Sequence, residues 1–222
     1  MKPLRGLYAI TDHALVRDVG RLRAGVAAAL AGGARVVQYR DKHSPPSERR
    51  AQARMLDVLC RAAGATLVLN DGPLQWVIED GLGGLHLGQG DGSLFEARAR
   101  LPPGSLLGAT CGDSLERAAE AAAAGADYLA FGAFFPSVTK PEARPARVET
   151  LRAARQRFAL PLCVIGGLTP DNAAPLVAAG ADLVGAVSGV FAAADITAAA
   201  RRYAGLFESP AHPPLEPPAE SV

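Results

Sequence analysis

At 222 residues, 49% hydrophobic and 20% charged, the chain can bury one substantial core, is short for two comparable domains and is not compositionally disordered. A formal net charge of +1 argues against a nucleic-acid-binding surface, so any anion site must be local, made by a few converging cations. No apolar run is long enough to span a bilayer. Met1-Lys2-Pro3-Leu4-Arg5 runs straight into a strand pattern without an apolar leader. The expectation is a cytoplasmic protein with small-molecule substrates and neither nucleic acid nor membrane as partner, compatible with a homo-oligomer.

In chain order, short apolar runs predict strands at Leu7–Thr11, Arg35–Tyr39, Thr66–Asn70, Gly84–Leu87, Leu106–Thr110, Tyr128–Gly132, Leu162–Gly166 and Leu183–Val187. Helical patterns lie between and after them, near Arg21–Ala31, Pro46–Ala63, Leu74–Glu79, Ser93–Ala99, Ser114–Ala124, Val148–Arg157, Pro170–Ala179 and Ile196–Phe207. Strands that are apolar on both faces, separated by amphipathic helices, indicate a parallel sheet covered by helices. Eight such units in so short a chain predict closure into a single parallel (β/α)₈ TIM barrel over residues 1–207. A weak repeat, Gly33-Ala34-Arg35, Gly125-Ala126-Asp127 and Gly180-Ala181-Asp182, marks helix-to-strand turns where glycine can take a left-handed conformation. Residues 208–222 are proline-rich without apolar periodicity and are expected to form a flexible C-terminal tail. Cys60, Cys111 and Cys163 are widely spaced, which fits small buried thiols in a reducing compartment.

The strands become polar or glycine-rich at their C-terminal ends, the face where such barrels carry their chemistry. The second ends in Gln38-Tyr39-Arg40-Asp41-Lys42, where alternation puts Gln38, Arg40 and Lys42 on one side. Asp71 and Asp91 follow neighbouring strands and could share a hard divalent cation, although Asp-Gly is also an ordinary turn pair. Thr110 offers a hydroxyl. Ser137-Val138-Thr139-Lys140 forms a loop with two hydroxyls and a cation, and Gly166-Gly167 and Ser188-Gly189 end the last two strands, where barrels often bind phosphate. His86, inside an apolar strand, reads as a packed histidine. No zinc motif, hydrolase triad or dinucleotide fingerprint is present.

Taken together, Tyr8-Ala9-Ile10-Thr11-Asp12, Gln38-x-Arg40-x-Lys42, Asn70-Asp71, His86-Leu87-Gly88-Gln89-Gly90-Asp91, Thr139-Lys140, Ile165-Gly166-Gly167 and Val187-Ser188 resemble the thiamine phosphate synthases in order and spacing, from about Leu4 to Phe207. The resemblance implies a transferase that condenses 4-amino-2-methyl-5-(diphosphomethyl)pyrimidine with 4-methyl-5-(2-phosphoethyl)thiazole, or its carboxylated form, and releases pyrophosphate by a dissociative, magnesium-assisted route. It assigns Gln38, Tyr39, Arg40, Asp41, Lys42, Asn70, Thr110 and Lys140 to the pyrimidine pyrophosphate, with Arg40, Lys42 and Lys140 catalytic. Ser137, Val138, Thr139, Gly167, Val187 and Ser188 fall to the thiazole phosphate, and Asp71 and Asp91 to one Mg²⁺ per subunit. Thr110 stands where many members have serine, Ser137 where threonine is common, Gly72 where a larger residue is common, and Gly112 where histidine is frequent. A paralogous thiazole tautomerase would need an acid/base residue rather than a pyrophosphate clamp. A catalytically silent metabolite-binding barrel could lose the metal carboxylates. The retained charges favour the synthase over both.

Overall fold

The computed structural model describes residues 4–136 and 145–208. Eight parallel strands close into one barrel in sequence order. The first three units are β1 (Gly6–Ile10), α1 (His13–Val16), α2 (Val19–Ala31), β2 (Ala34–Arg40), α3 (Pro46–Ala62), β3 (Thr66–Asn70) and α4 (Leu74–Asp80). The chain continues with β4 (Gly84–Leu87), α5 (Leu94–Arg100), β5 (Leu106–Gly112), α6 (Leu115–Ala123), β6 (Tyr128–Gly132), α7 (Val148–Arg157), β7 (Leu162–Ile165), α8 (Pro170–Ala178), β8 (Leu183–Ala186), α9 (Ser188–Phe191) and α10 (Ile196–Gly205). β1 closes the ring against β8, with Tyr8 opposite Gly185.

The eight strands fall where the apolar runs put them, with small changes at the ends. β2 runs on to Arg40 and β5 to Gly112, whereas β8 stops at Ala186 because the chain winds directly into α9. The four-residue helices α1 and α9 are additions, too short for a periodic signal. α1 forms because the Asp12 carboxylate caps it, accepting from the Leu15 N–H at 2.9 Å. The proline-rich tail lies outside the described residues apart from Glu208.

The apolar residues divide between two cores. The larger lies between sheet and helices and includes Leu22, Val26, Leu56, Val77, Leu129, Phe131 and Leu151. The smaller fills the barrel with Tyr8, Ile10, Val36, Val68, Leu106, Tyr128, Ala130, Cys163 and Leu183. Strand alternation explains the division, since successive side chains leave opposite faces. Gly108 carries no side chain where Tyr128 crosses the barrel; a Cβ there would lie 2.0 Å from the ring's Cζ. All three cysteines are buried, and burial pushes the Cys60 and Cys111 thiols up to about 12.

The internal repeat is a structural device at the N-terminal end of the barrel. Gly33, Gly125 and Gly180 take φ of 100°, 88° and 117°, as the helix-to-strand reading expects. Asp127 and Asp182 then pin neighbouring elements. Asp127 accepts from the Leu107 N–H at 2.7 Å and from Arg98 of α5 at 3.0 Å. Asp182 accepts from the Leu162 N–H at 2.9 Å and from Arg155 of α7 at 2.8 Å.

Candidate active site

Inside the barrel a set of polar side chains is joined, running from Tyr8 in the middle of β1 and Tyr128 at the start of β6 toward Asn70 and Thr110 near the C-terminal ends of β3 and β5. Gln38 Nε2 donates to the Tyr8 hydroxyl at 2.9 Å, and the Tyr8 and Tyr128 hydroxyls lie 2.7 Å apart. His86 Nδ1 is 2.9 Å from the Tyr128 hydroxyl, and its Nε2 is 2.8 Å from Thr110 Oγ1. Asn70 donates from Nδ2 to the His86 carbonyl at 3.2 Å. Six strands thus contribute one connected set, with Gln38 and Thr110 at the ends of its side-chain run and Asn70 joined to it through the His86 carbonyl. His86 is the packed, hydrogen-bonded histidine that its strand context predicts.

Charge gathers just above this set. The β2–β3 register places Arg40 beside Asn70, so Asp71 emerges next to the Arg40 side chain. Arg40 Nε is 3.6 Å and Lys42 Nζ 3.5 Å from the Asp71 carboxylate, both longer than good hydrogen bonds. Asp71 takes a left-handed φ of 59°, and its buried Oδ2 has no hydrogen-bond partner among the described residues, Arg40 Nε being its ion-pair contact at 3.6 Å. A buried carboxylate oxygen without a hydrogen bond costs roughly 1–3 kcal/mol, a cost that the two neighbouring cations offset only in part at these distances. A hard cation suits that oxygen. Asp91 is exposed and shapes its own turn, Oδ2 accepting from the Gly88 N–H at 2.7 Å, so Oδ1 is the atom it can offer a metal. Among the described residues no cluster of three or more His, Cys, Asp or Glu gathers.

Tyr39 and Asp41 do not join the cluster with their side chains. Alternation turns both toward the helix layer, where the Tyr39 hydroxyl donates to Gln52 Oε1 of α3 at 2.8 Å and lies 3.4 Å from Asp41 Oδ2. Burial works to raise the Asp41 carboxyl. Hydrogen bonds from Ser44 and the His43 and Ser44 backbone outweigh it and hold the group below the usual carboxylate range. Asp41 therefore folds the loop that carries Lys42. On the far side, Gly167 and Ser188 are exposed at the ends of β7 and β8, with half-buried Val187 between β8 and α9. Ser137, Val138, Thr139 and Lys140 lie outside the described residues. The segments flanking them are anchored at the ends of β6 and β7: Phe135 N–H donates to the Gly166 carbonyl at 3.1 Å and Ala146 N–H to the Ala133 carbonyl at 2.7 Å.

Two supporting residues had no assigned role in the sequence reading. Thr11 Oγ1 accepts from the Arg40 N–H at 2.9 Å and donates to the Arg40 carbonyl at 3.2 Å, fixing the backbone beneath that guanidinium. Arg49 of α3 donates to the Asp71 carbonyl at 2.7 Å and to the Asp41 carbonyl at 3.3 Å, with its guanidinium 5.6 Å from the Trp76 ring centroid. It clamps the loops after β2 and β3 together. At Gly112, where histidine is frequent among the synthases, β5 carries a register irregularity and a φ of 64°.

The profile of a family described as thiamine monophosphate synthase matches residues 7–190, which is most of the barrel. The chain belongs to that family. A thiamine-phosphate synthase of Methylococcus capsulatus is 50% identical over 208 residues, covering 94% of this chain and 92% of the relative. Another, of Thioalkalivibrio sulfidiphilus, is 48% identical over 205 residues, covering 92% and 96%. Among solved structures, the thiamine phosphate pyrophosphorylase of Pyrococcus furiosus superposes with a TM-score of 0.82 at 32% identity, covering 92% of this chain and 96% of that one. No helix among the described residues is long and apolar enough to cross a membrane.

Proposed function

We propose that this chain is a cytoplasmic thiamine-phosphate synthase that joins the aminopyrimidine methyl diphosphate to the thiazole phosphate, giving thiamine phosphate and pyrophosphate, or to its carboxylated form with loss of CO₂ as well. One observation carries the reading: a barrel of this family in which Arg40, Lys42 and an incompletely paired Asp71 meet at the mouth. The bond between the methylene carbon and the pyrophosphate oxygen breaks first, and its electron pair leaves with pyrophosphate. Arg40 and Lys42, joined by Lys140, stabilise that growing negative charge more than they stabilise the ester, which is what accelerates the step. A bound Mg²⁺, held by Asp71 and Asp91, would neutralise further charge on the leaving group.

The methylene cation left behind is delocalised into the aminopyrimidine ring, which Gln38 and Thr110 hold from two sides and beside which Asn70 stands. The thiazole nitrogen has its own lone pair and closes the new C–N bond without a general base. Gly167, Val187, Ser188 and the Ser137–Thr139 segment bind its phosphate, which makes the capture nearly unimolecular. The Tyr39 and Asp41 side chains support the β2 loop, so any substrate contact at these positions is through the backbone. Incubation of the protein with both substrates and Mg²⁺ tests the proposal. Thiamine phosphate and pyrophosphate should form in equal amounts; neither product, or pyrophosphate alone, would contradict it.

A further inference from the structure

The hydrogen-bond set inside the barrel has a direction as well as a connectivity. We propose that Gln38, Tyr8, Tyr128, His86 and Thr110 form a single chain of fixed polarity that presents an acceptor, Gln38 Oε1, and a donor, the Thr110 hydroxyl proton, to the aminopyrimidine. In this chain Tyr8, Tyr128 and His86 are positioning residues. They set the hydrogen-bond polarity of two side chains that touch substrate, and the inference rests on the substrate proposed above.

The direction follows from counting protons. Gln38 spends an N–H on the Tyr8 oxygen, which leaves the Tyr8 proton for the Tyr128 oxygen at 2.7 Å. The Tyr128 proton then goes to His86 Nδ1, so the imidazole is neutral with its proton on Nε2. Nε2–H donates to Thr110 Oγ1, and the threonine proton is left to point elsewhere. At the other end, the Gln38 amide nitrogen is committed to Tyr8, which leaves Oε1 as the atom that accepts from a ligand. Thr110 is half-buried at the mouth. An aminopyrimidine carries an amine donor beside a ring-nitrogen acceptor, the complement of these two ends.

The middle of the chain is held rigidly enough to transmit this order. Tyr8 meets Tyr128 edge-on with centroids 5.8 Å apart, and the His86 ring lies stacked at 5.7 Å on the other side of Tyr128. The missing side chain at Gly108 leaves the space that the Tyr128 ring occupies. Tyr8 and Tyr128 are about 1% and 0% exposed. Burial pushes both phenols well above their ordinary range, so each keeps the single proton that the count requires. Between buried groups, a chain with every donor matched to an acceptor is favoured over one with a mismatch, which would strand a polar atom.

The tautomer of His86 reads the direction without any substrate. In wild-type protein, ¹⁵N NMR should find Nε2 protonated and Nδ1 unprotonated. At pH 8 the Gln38→Glu carboxylate can only accept, so Tyr8 must donate to it, the order reverses, and the proton should move to Nδ1. A protonated Nδ1 in the wild type, or the same tautomer in both proteins, would overturn the proposal. Kinetics supply the second readout. Tyr128→Phe should raise KM for the pyrimidine diphosphate about tenfold, with kcat changed less than about threefold and KM for the thiazole phosphate unchanged. An unchanged pyrimidine KM would equally overturn it. Tyr8→Phe, which frees the Gln38 amide, serves the same purpose if Tyr128→Phe fails to fold. Absence of turnover in the wild type would strike the proposed function and leave the chain's polarity standing.

Discussion

The two ends of the barrel treat the same chemical group differently. At the N-terminal end, Asp127 and Asp182 each accept from a strand N–H and a guanidinium at 2.7–3.0 Å. At the C-terminal end, Asp71 sits 3.5–3.6 Å from two cations, and one buried oxygen has no hydrogen bond among the described residues. The first pair of carboxylates has been completed by the fold, and their partners are residues of the chain. The third is surrounded by charge yet incompletely hydrogen-bonded among the described residues, which leaves it able to take a further partner. A carboxylate in an ion pair is therefore not informative by its partner's identity alone. The lengths of its contacts and the count of its satisfied lone pairs separate a pin from a site.

Replacing members of each group should break the comparison in opposite ways. The largest effect is expected from Asp71→Asn, which keeps a residue tolerant of the left-handed φ while removing the charge. It should lower kcat by about 10²- to 10³-fold and leave Tm within about 2 °C, measured by steady-state kinetics and a melting curve. Lys140→Ala should reduce kcat by about 10²-fold with little change in KM for the thiazole phosphate, since the cation acts on departing pyrophosphate. Arg49→Met removes the clamp on the Asp71 and Asp41 carbonyls. The Mg²⁺ concentration for half-maximal activity should rise about tenfold while saturating kcat falls less, a split that general destabilisation would not produce.

What was legible in the sequence follows the same division. Period-two alternation was enough to put Gln38 and Arg40 on the interior side, and the ends of eight apolar runs located the mouth. The same alternation excludes the Tyr39 and Asp41 side chains, which a contiguous motif had carried into the site. Arg49 was hidden because its partners are backbone carbonyls, and an arginine in the Arg-rich stretch of α3 reads as a solvated face. The Tyr8 and Tyr128 hydroxyls left a faint signal: a buried phenol needs a hydrogen-bond partner, but the chain does not say that the partner lies on another strand. The repeat at Gly125-Ala126-Asp127 and Gly180-Ala181-Asp182 was visible as a turn, whereas the pinning role of its aspartates depends on arginines some 27–29 residues earlier.

Smaller effects should sharpen the contrast from the other side. Asp182→Asn breaks a finished pin, so Tm should fall by about 3–8 °C while kcat and both KM values stay near wild type. Truncation after Glu208 should change neither Tm nor turnover, because it keeps the Phe207 carbonyl that accepts from Arg5 at 2.6 Å.

The central claim is that the Asp71 carboxylate belongs to a metal-dependent pyrophosphate site. Calorimetric titration of inorganic pyrophosphate into the wild type, Asp71→Asn and Asp182→Asn, each with and without Mg²⁺, tests it directly. Mg²⁺ should tighten pyrophosphate binding at least about tenfold in the wild type and in Asp182→Asn, and leave it unchanged in Asp71→Asn. A full Mg²⁺-dependent gain in Asp71→Asn, or none in the wild type, would contradict the account.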